Sequence, residues 1–147
     1  MITIDPPVTV AVTVALMLAL AAGCAPLTRM QRPDKEEMYI KASALTKLSA
    51  AVESTVRYKN PPSGLNDRQL LTLATGHDPA LLDNFKGYRI RVLRQARHSV
   101  VLVCNTSGTR ALLEDAGCTG PMDRHRWMGK PEACEFTTNI AEVCGSD

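Results

Sequence analysis

The sequence predicts an α+β domain in which helices come first along the chain and a small antiparallel sheet follows. Two periodicities carry this prediction. From Met38 to Val56, apolar residues recur every three or four positions, which is the spacing of one face of a helix. Beyond Gly87, apolar residues alternate with arginines as far as Val92, which is the spacing of a strand with one exposed face.

The long first helix is predicted to begin at Asp34. This residue precedes Glu37 by three positions, the pattern of a capping box, and acidic residues in the first turn suit the positive end of the helix dipole. Pro61 and Pro62 end the helix after about 24 residues. So narrow an apolar stripe either packs against its own domain or pairs with a second copy as a short coiled coil.

Two short helices are predicted next. Asn66 to Gln69 is a helix-start signal, and Gly76 closes the helix that follows. Asp78 caps a third helix, which has Pro79 at its first position.

A β-hairpin is the centre of the predicted fold. Residues 95–98 make its turn, and Val100 to Val103 form a continuous apolar run typical of a strand covered on both faces. A short helix is expected from Arg110 to Ala116. Residues 135–137 are a candidate third strand, and Asn139 caps a last helical turn that ends near residue 144.

The length and the charge of the chain limit the functions that it can have. A chain of 147 residues holds one modest domain plus a terminal segment, and only 4% of it is aromatic, so its core is small. The formal net charge is +2, from 17 basic and 15 acidic residues. Domains that bind nucleic acid concentrate positive charge in a stripe, which this sequence lacks. No nucleic-acid partner is predicted.

The N-terminal segment indicates export. Val8 to Ala22 is an uncharged run of fifteen residues, the length of a signal-peptide core. The five residues Leu20-Ala21-Ala22-Gly23-Cys24 resemble the lipobox of bacterial lipoprotein precursors. The resemblance implies that the Cys24 thiol takes a diacylglycerol, that cleavage occurs before it, and that the new N-terminus is acylated with a palmitate-type chain. It covers this segment alone.

The lipoprotein resemblance divides the chain into three parts. They are a signal peptide, 1–23, a lipidated Cys24 with its tether, 24–33, and a single small periplasmic domain, 34–147. Ala25 stands where an aspartate typically retains lipoproteins in the inner membrane. The resemblance therefore implies a lipid anchor in the outer membrane, with the domain facing the periplasm.

Two alternatives exist for the N-terminal segment. The twenty uncharged residues from Val8 to Leu27 are long enough to span a bilayer uncleaved. Arg29, Arg32 and Lys35 would then place the following domain in the cytoplasm, where cysteines stay reduced. In the other alternative, the segment is an apolar helix within a soluble core.

Four cysteines follow Cys24, and an even number in an exported chain predicts two disulfides. Of the three possible pairings we expect Cys104–Cys118 and Cys134–Cys144, because each pair brackets a short element after which the chain returns. Zinc is the alternative, but zinc-binding cysteines come in closer pairs than these. No metal site is predicted.

Asp123 to Trp127 is the candidate partner-binding segment. Arg124 and Arg126 are able to grip carboxylates, and Trp127 is the chain's single tryptophan, a residue type enriched at interface hot spots. The alternative is a solvated loop whose tryptophan fills the core. If both arginines are exposed, replacing them with alanine leaves stability nearly unchanged.

No catalytic residue is predicted. His77-Asp78 looks like a catalytic pair only in isolation, because Asp78 is explained as a helix cap. The chain contains no G-x-S-x-G, P-loop, dinucleotide-binding glycine motif or H-E-x-x-H. We therefore predict a non-enzymatic, cofactor-free lipoprotein with a binding or structural role in the cell envelope, where an envelope protein is its partner. The alternative is an immunity or inhibitor lipoprotein that blocks an exported toxin or hydrolase.

Overall fold

A computed structural model of the chain describes residues 34–145. The predicted signal peptide, 1–23, and Cys24 with its tether, 24–33, lie outside the described residues, as do residues 146–147. Within the described range, no helix is both long enough and apolar enough to cross a membrane.

The α+β class is confirmed: helices pack on a four-stranded antiparallel sheet of order β1-β2-β3-β4. The helices are α1 (Lys35–Ser54), which continues into a π-helical turn (Thr55–Lys59), α2 (Asp67–Ala74) and α3 (Ile140–Cys144). Two 3₁₀ turns cover Pro79–Phe85 and Arg126–Met128. The strands are β1 (Arg89–Gln95), β2 (His98–Cys104), β3 (Ala111–Ala116) and β4 (Arg124–His125).

The predicted apolar stripe of α1 is confirmed, and it packs against the sheet of its own domain. The capping box at Asp34 is wrong, because the Asp34 side chain makes no capping hydrogen bond. Glu37 instead accepts a hydrogen bond from Tyr88 Oη at 2.9 Å and lies 3.1 Å from Lys41 Nζ. The buried members of the stripe are Met38, Ala42, Leu45, Leu48, Val52 and Val56.

The second helix start is confirmed as a full capping box. Asn66 and Gln69 exchange two hydrogen bonds of 3.0 Å between side chain and backbone N–H, so two otherwise unpaired donors are satisfied. The third predicted helix has the right position but is a 3₁₀ turn, Pro79–Phe85, and the Asp78 side chain makes no capping bond.

The predicted hairpin is confirmed as strands β1 and β2, which are joined through a turn at Ala96 and Arg97. Every residue of β2 is buried, as its apolar run predicted. Val101 and Val103 face the core beneath the helices, whereas Leu102 lies on the opposite face against the C-terminal segment. The sheet is thus a middle layer between helices and a covering segment.

The helix predicted for Arg110 to Ala116 is wrong, because residues 111–116 form strand β3 instead. Pairing with β2 runs from Val100↔Ala116 to Cys104↔Ala111, and all six residues of the strand are buried. Burial beside a covered strand outweighs local helix propensity, which amounts to tenths of a kcal/mol per residue. The candidate strand at residues 135–137 has no strand structure, while Asn139 caps the last helix as predicted.

The structure contains two disulfides, as predicted, but they join different pairs of cysteines from those expected. Cys104 is bonded to Cys134 and Cys118 to Cys144, with Cα separations of 5.8 and 5.7 Å. The expected pairing assumed that each disulfide joins the two ends of one short helix or strand. Instead the C-terminal segment crosses the outer face of the sheet, so each bridge joins a sheet strand or its end to that segment.

Candidate functional site

Arg126, predicted to lie in an exposed partner-binding segment, is buried and forms part of the core structure. Its Nη1 atom lies 3.1 Å from Glu114 Oε2 and also donates a 2.5 Å hydrogen bond to the Glu135 carbonyl. Its Nε atom donates to Glu132 Oε2 at 2.6 Å. The prediction of Arg126 as an exposed binding residue is therefore wrong, because its donors are used inside the domain.

Glu114, on strand β3, is the residue with which Arg126 forms its buried ion pair. Its Oε1 atom accepts hydrogen bonds of 2.8 Å from the backbone N–H groups of Thr137 and Thr138, and its Oε2 accepts one of 2.9 Å from Thr137 Oγ1. A buried carboxylate is stable only with such a set of partners. The network fixes the C-terminal segment against the outer face of the sheet.

Of the three predicted partner-binding residues, Arg124 alone has an accessible side chain, which is 45% exposed. Its Nη1 donates to Thr137 Oγ1 at 2.5 Å, and its Nη2 lies 3.8 Å from Glu132. Trp127 is 8% exposed and packs edge-on against Tyr39, with ring centroids 5.8 Å apart. The tryptophan therefore fills the core, as the alternative interpretation of this segment predicted.

A buried polar cluster joins α1 to the start of β2. Glu53 lies 2.6 Å from His98 Nδ1 and accepts hydrogen bonds from the backbone N–H of Ser99 at 2.7 Å and from its Oγ at 2.9 Å. The Ser99 hydroxyl donates to Glu53, so it is not aligned with a histidine as a nucleophile requires. All three side chains are buried.

Asp115 extends this cluster from strand β3. It accepts hydrogen bonds from the Ser49 hydroxyl and from the backbone N–H of Asp123, the latter at 3.1 Å. Burial raises the pKa of the Asp115 carboxyl to about 6, and the Ser49 hydrogen bond only partly opposes that effect. Gly117 permits the close approach, since a Cβ there would lie 2.3 Å from the Ser49 carbonyl oxygen.

One group of potential metal ligands occurs within residues 34–145. It comprises His98, Cys118 and Cys144, whose donor atoms lie within 4.8 Å of one another. Both sulfurs are joined in the Cys118–Cys144 disulfide, whereas zinc is bound by thiolates. In this oxidised form the group is not a ligand set. This proximity could not be predicted from the sequence, because the three residues come from different parts of the chain.

An open groove of about 670 Å³ lies beside the edge strand β1, between α2 and the 3₁₀ turn. Its floor includes the apolar residues Leu71, Phe85 and Ile90, and its rim carries the charged residues Asp67 and Arg68. An apolar floor with a few charged groups at the rim is the usual composition of a ligand-binding surface. This groove is our candidate functional site.

The groove is bordered by charges of both signs. Arg68 is exposed and forms no ion pair with another residue in the described part of the chain. The Arg89 side chain lies against Gly108, where an added Cβ would be 3.0 Å from Arg89 Nη1. Asp67, also at the rim, accepts a 3.3 Å hydrogen bond from the backbone N–H of Val92. The sequence did not indicate this site, because the residues that line it come from α2, the 3₁₀ turn and β1, which are separate along the chain.

Comparison with known proteins gave no matching family model, and no similar curated protein or solved structure was found.

Proposed function

We propose that this chain is a bacterial lipoprotein, anchored to the outer membrane through acyl chains on Cys24, whose domain binds an envelope protein in the periplasm. The Leu20-Ala21-Ala22-Gly23-Cys24 segment and the uncharged run before it support the anchor. Several acyl chains hold a protein on a bilayer stably, where a single chain is marginal.

The observation that carries the extracytoplasmic part of this proposal is the pair of disulfides, Cys104–Cys134 and Cys118–Cys144. Disulfides form and persist in oxidising compartments such as the bacterial periplasm and are rare in the cytosol. They also suit a domain of this size, because a small core gains a large share of its stability from such cross-links.

The groove beside β1 supports a binding role. Its charged rim and apolar floor offer recognition groups, while the two polar clusters inside the domain hold α1 and the C-terminal segment to the sheet. Binding of a partner rather than turnover of a substrate is the role we propose for this surface.

Metabolic labelling with radioactive palmitate tests the anchor. The wild-type protein should carry label and sediment with membranes, and C24S should lose both properties. The matched control is C118S/C144S, which removes cysteines but keeps the lipidation site, and it should stay labelled. Label retained by C24S, or absent from the wild-type protein, would contradict the proposal.

A further inference from the structure

We propose that reduction of the Cys118–Cys144 disulfide creates a binding site for a thiophilic metal ion, Zn²⁺ or Cu⁺. Its ligands are the two released thiolates and one ring nitrogen of His98. The proximity of these three side chains, the contact of His98 with Glu53 and the accessibility of this disulfide together point to the site. It lies apart from the groove beside β1 and does not depend on the binding of a partner protein.

The three donor atoms meet at one end of the outer face of the sheet. His98 and Val100 stand on the same side of β2, because side chains two positions apart along a strand share a face. Cys118 and Cys144 pack against the apolar cluster that contains Val100. A ring nitrogen of His98 and the two sulfurs lie within 4.8 Å of one another. Metal–ligand bonds of about 2.0–2.3 Å hold the donors of one ion roughly 3.5–4 Å apart, so small side-chain rotations would complete the site.

Glu53 prepares His98 for metal binding. Its Oε1 atom lies 2.6 Å from His98 Nδ1, and its Oε2 atom accepts the Ser99 backbone N–H and hydroxyl at 2.7 and 2.9 Å, which fixes the carboxylate. A carboxylate at Nδ1 favours the tautomer that carries its proton there, with the lone pair on Nε2. Histidines that bind metals almost always have such a partner on the other ring nitrogen, because it orients the ring and raises its basicity. We therefore assign Nε2 as the metal-binding atom.

The two disulfides differ in accessibility. Cys104 and Cys134 are buried, whereas Cys118 and Cys144 are half-buried. Thiol–disulfide exchange requires that a thiolate reach one of the two sulfurs, so a dithiol reductant attacks the half-buried bridge first. Reduction therefore opens the proposed site while the buried bridge is still intact.

Reduction by a dithiol releases both ligand sulfurs. The dithiol gives two electrons and two protons to the S–S bond, which yields two cysteine thiols, and the dithiol itself becomes a disulfide. The metal ion then forms two metal–sulfur bonds and one metal–nitrogen bond, and the two thiol protons pass to solvent. Zn²⁺ and Cu⁺ both accept thiolate and imidazole ligands. Three ligands suit Cu⁺ directly, while Zn²⁺ would take water as its fourth ligand.

The C-terminal segment stays on the sheet after this reduction. The Cys104–Cys134 bridge still joins it to β2, and Glu114 still accepts the backbone N–H groups of Thr137 and Thr138. The ligand that this segment contributes therefore remains close to the other two.

Selective alkylation tests which bridge opens. The full chain, purified from membranes in detergent, is treated with limiting dithiothreitol under argon, alkylated with iodoacetamide and mapped by mass spectrometry. We expect label on Cys118 and Cys144, while Cys104 and Cys134 remain linked. Equal or earlier opening of the Cys104–Cys134 bridge would overturn the proposal. Label on Cys24 would contradict the lipid anchor instead, so the two proposals fail independently.

Metal titration tests the site itself. After removal of the reductant by gel filtration under argon, Zn²⁺ and Cu⁺ are titrated in separate experiments against a chromophoric chelator. The reduced chain should bind a single ion of at least one of these metals, and the comparison identifies the preferred ion. The oxidised chain should bind at least about 100-fold more weakly, because a disulfide offers no thiolate. Equal affinities of the two forms, or no binding of either ion, would overturn the proposal.

Two variants each remove one ligand. H98N keeps an amide N–H for Glu53 but lacks Nε2, and C144S lacks one sulfur. Each should lower the metal affinity of the reduced chain by at least about tenfold. The matched control H77N changes an exposed histidine and should alter the affinity by less than about twofold.

Circular dichroism of the reduced variants checks the fold. C144S should fold as the reduced wild-type chain does, since neither contains the Cys118–Cys144 bridge, and it decides the outcome if H98N fails to fold. Wild-type affinity in either folded variant would overturn the assigned ligands.

Discussion

Arg126 and Glu114 form an ion pair in which Nη1 and Oε2 lie 3.1 Å apart, while only 2% and 0% of the two side chains are exposed. An ion pair withdrawn from water stabilises a fold only if its other polar atoms are also bonded. Thr137, Thr138 and Glu132 meet this requirement, and all three lie in the segment that covers the sheet. The Arg126–Glu114 ion pair therefore holds the covering segment to the sheet, and the two disulfides do the same.

Removing Arg126 should be strongly destabilising. R126A leaves the Glu114 carboxylate buried without its countercharge, and we expect the free energy of unfolding to fall by about 3–5 kcal/mol. R124A removes the neighbouring exposed arginine and should cost less than about 1 kcal/mol. Urea denaturation of both variants measures the difference. Equal, small effects would show that Arg126 is a surface residue, as the sequence alone suggested.

The disulfide pairing has a direct chemical test. Peptide mapping without reduction should recover Cys104 linked to Cys134 and Cys118 linked to Cys144. Each bridge joins residues 30 or 26 positions apart, so C118S/C144S should lose about 3–4 kcal/mol of stability by the chain-entropy estimate. Recovery of Cys104 linked to Cys118 would contradict the described C-terminal segment.

Asp115 should make stability depend on pH. Burial raises the pKa of its carboxyl from 3.8 to about 6, with the neighbouring Asp123 carboxylate acting in the same direction. The folded chain therefore favours the protonated form, and this contribution is fully present below pH 3.8 and lost as pH rises through about 6.

The comparison of wild type with D115N isolates this titration. Between about pH 4 and pH 7 the wild-type protein should lose at least about 1 kcal/mol of unfolding free energy relative to D115N, which cannot ionise there. Glu37 and Glu132, whose pKa values are lowered, titrate in both proteins and cancel. Urea denaturation across this range gives the result, and parallel pH profiles would contradict the assignment.

Periodicity predicted the helix and the hairpin because their apolar patterns match the faces they bury. The same reasoning failed at residues 111–116, where Glu114 and Asp115 stand next to each other in the sequence. Acidic neighbours favour an exposed helix in isolation, but in β3 they point to opposite faces of the sheet. Each carboxylate enters a separate buried network, one with Arg126 and one with Ser49. Such long-range partners leave no local pattern.

Partners distant in sequence also explain the misplaced candidate site. The segment around Arg126 was attractive because it combines arginines with the single tryptophan. Its burial depends on residues 132–138, which fold back over it. The groove is lined by Leu71 and Ile90, which are remote from each other along the chain and lie at one surface only through the packing of α2 beside β1. The sequence shows the type of each residue, but it does not show where the residue lies in the fold.

The mass of the mature N-terminus tests the central proposal most directly. Protein purified from membranes should begin at Cys24, and its N-terminal peptide should carry a diacylglycerol thioether and an amide-linked acyl chain. An intact chain that begins at Met1 with an unmodified Cys24 would contradict the lipoprotein assignment.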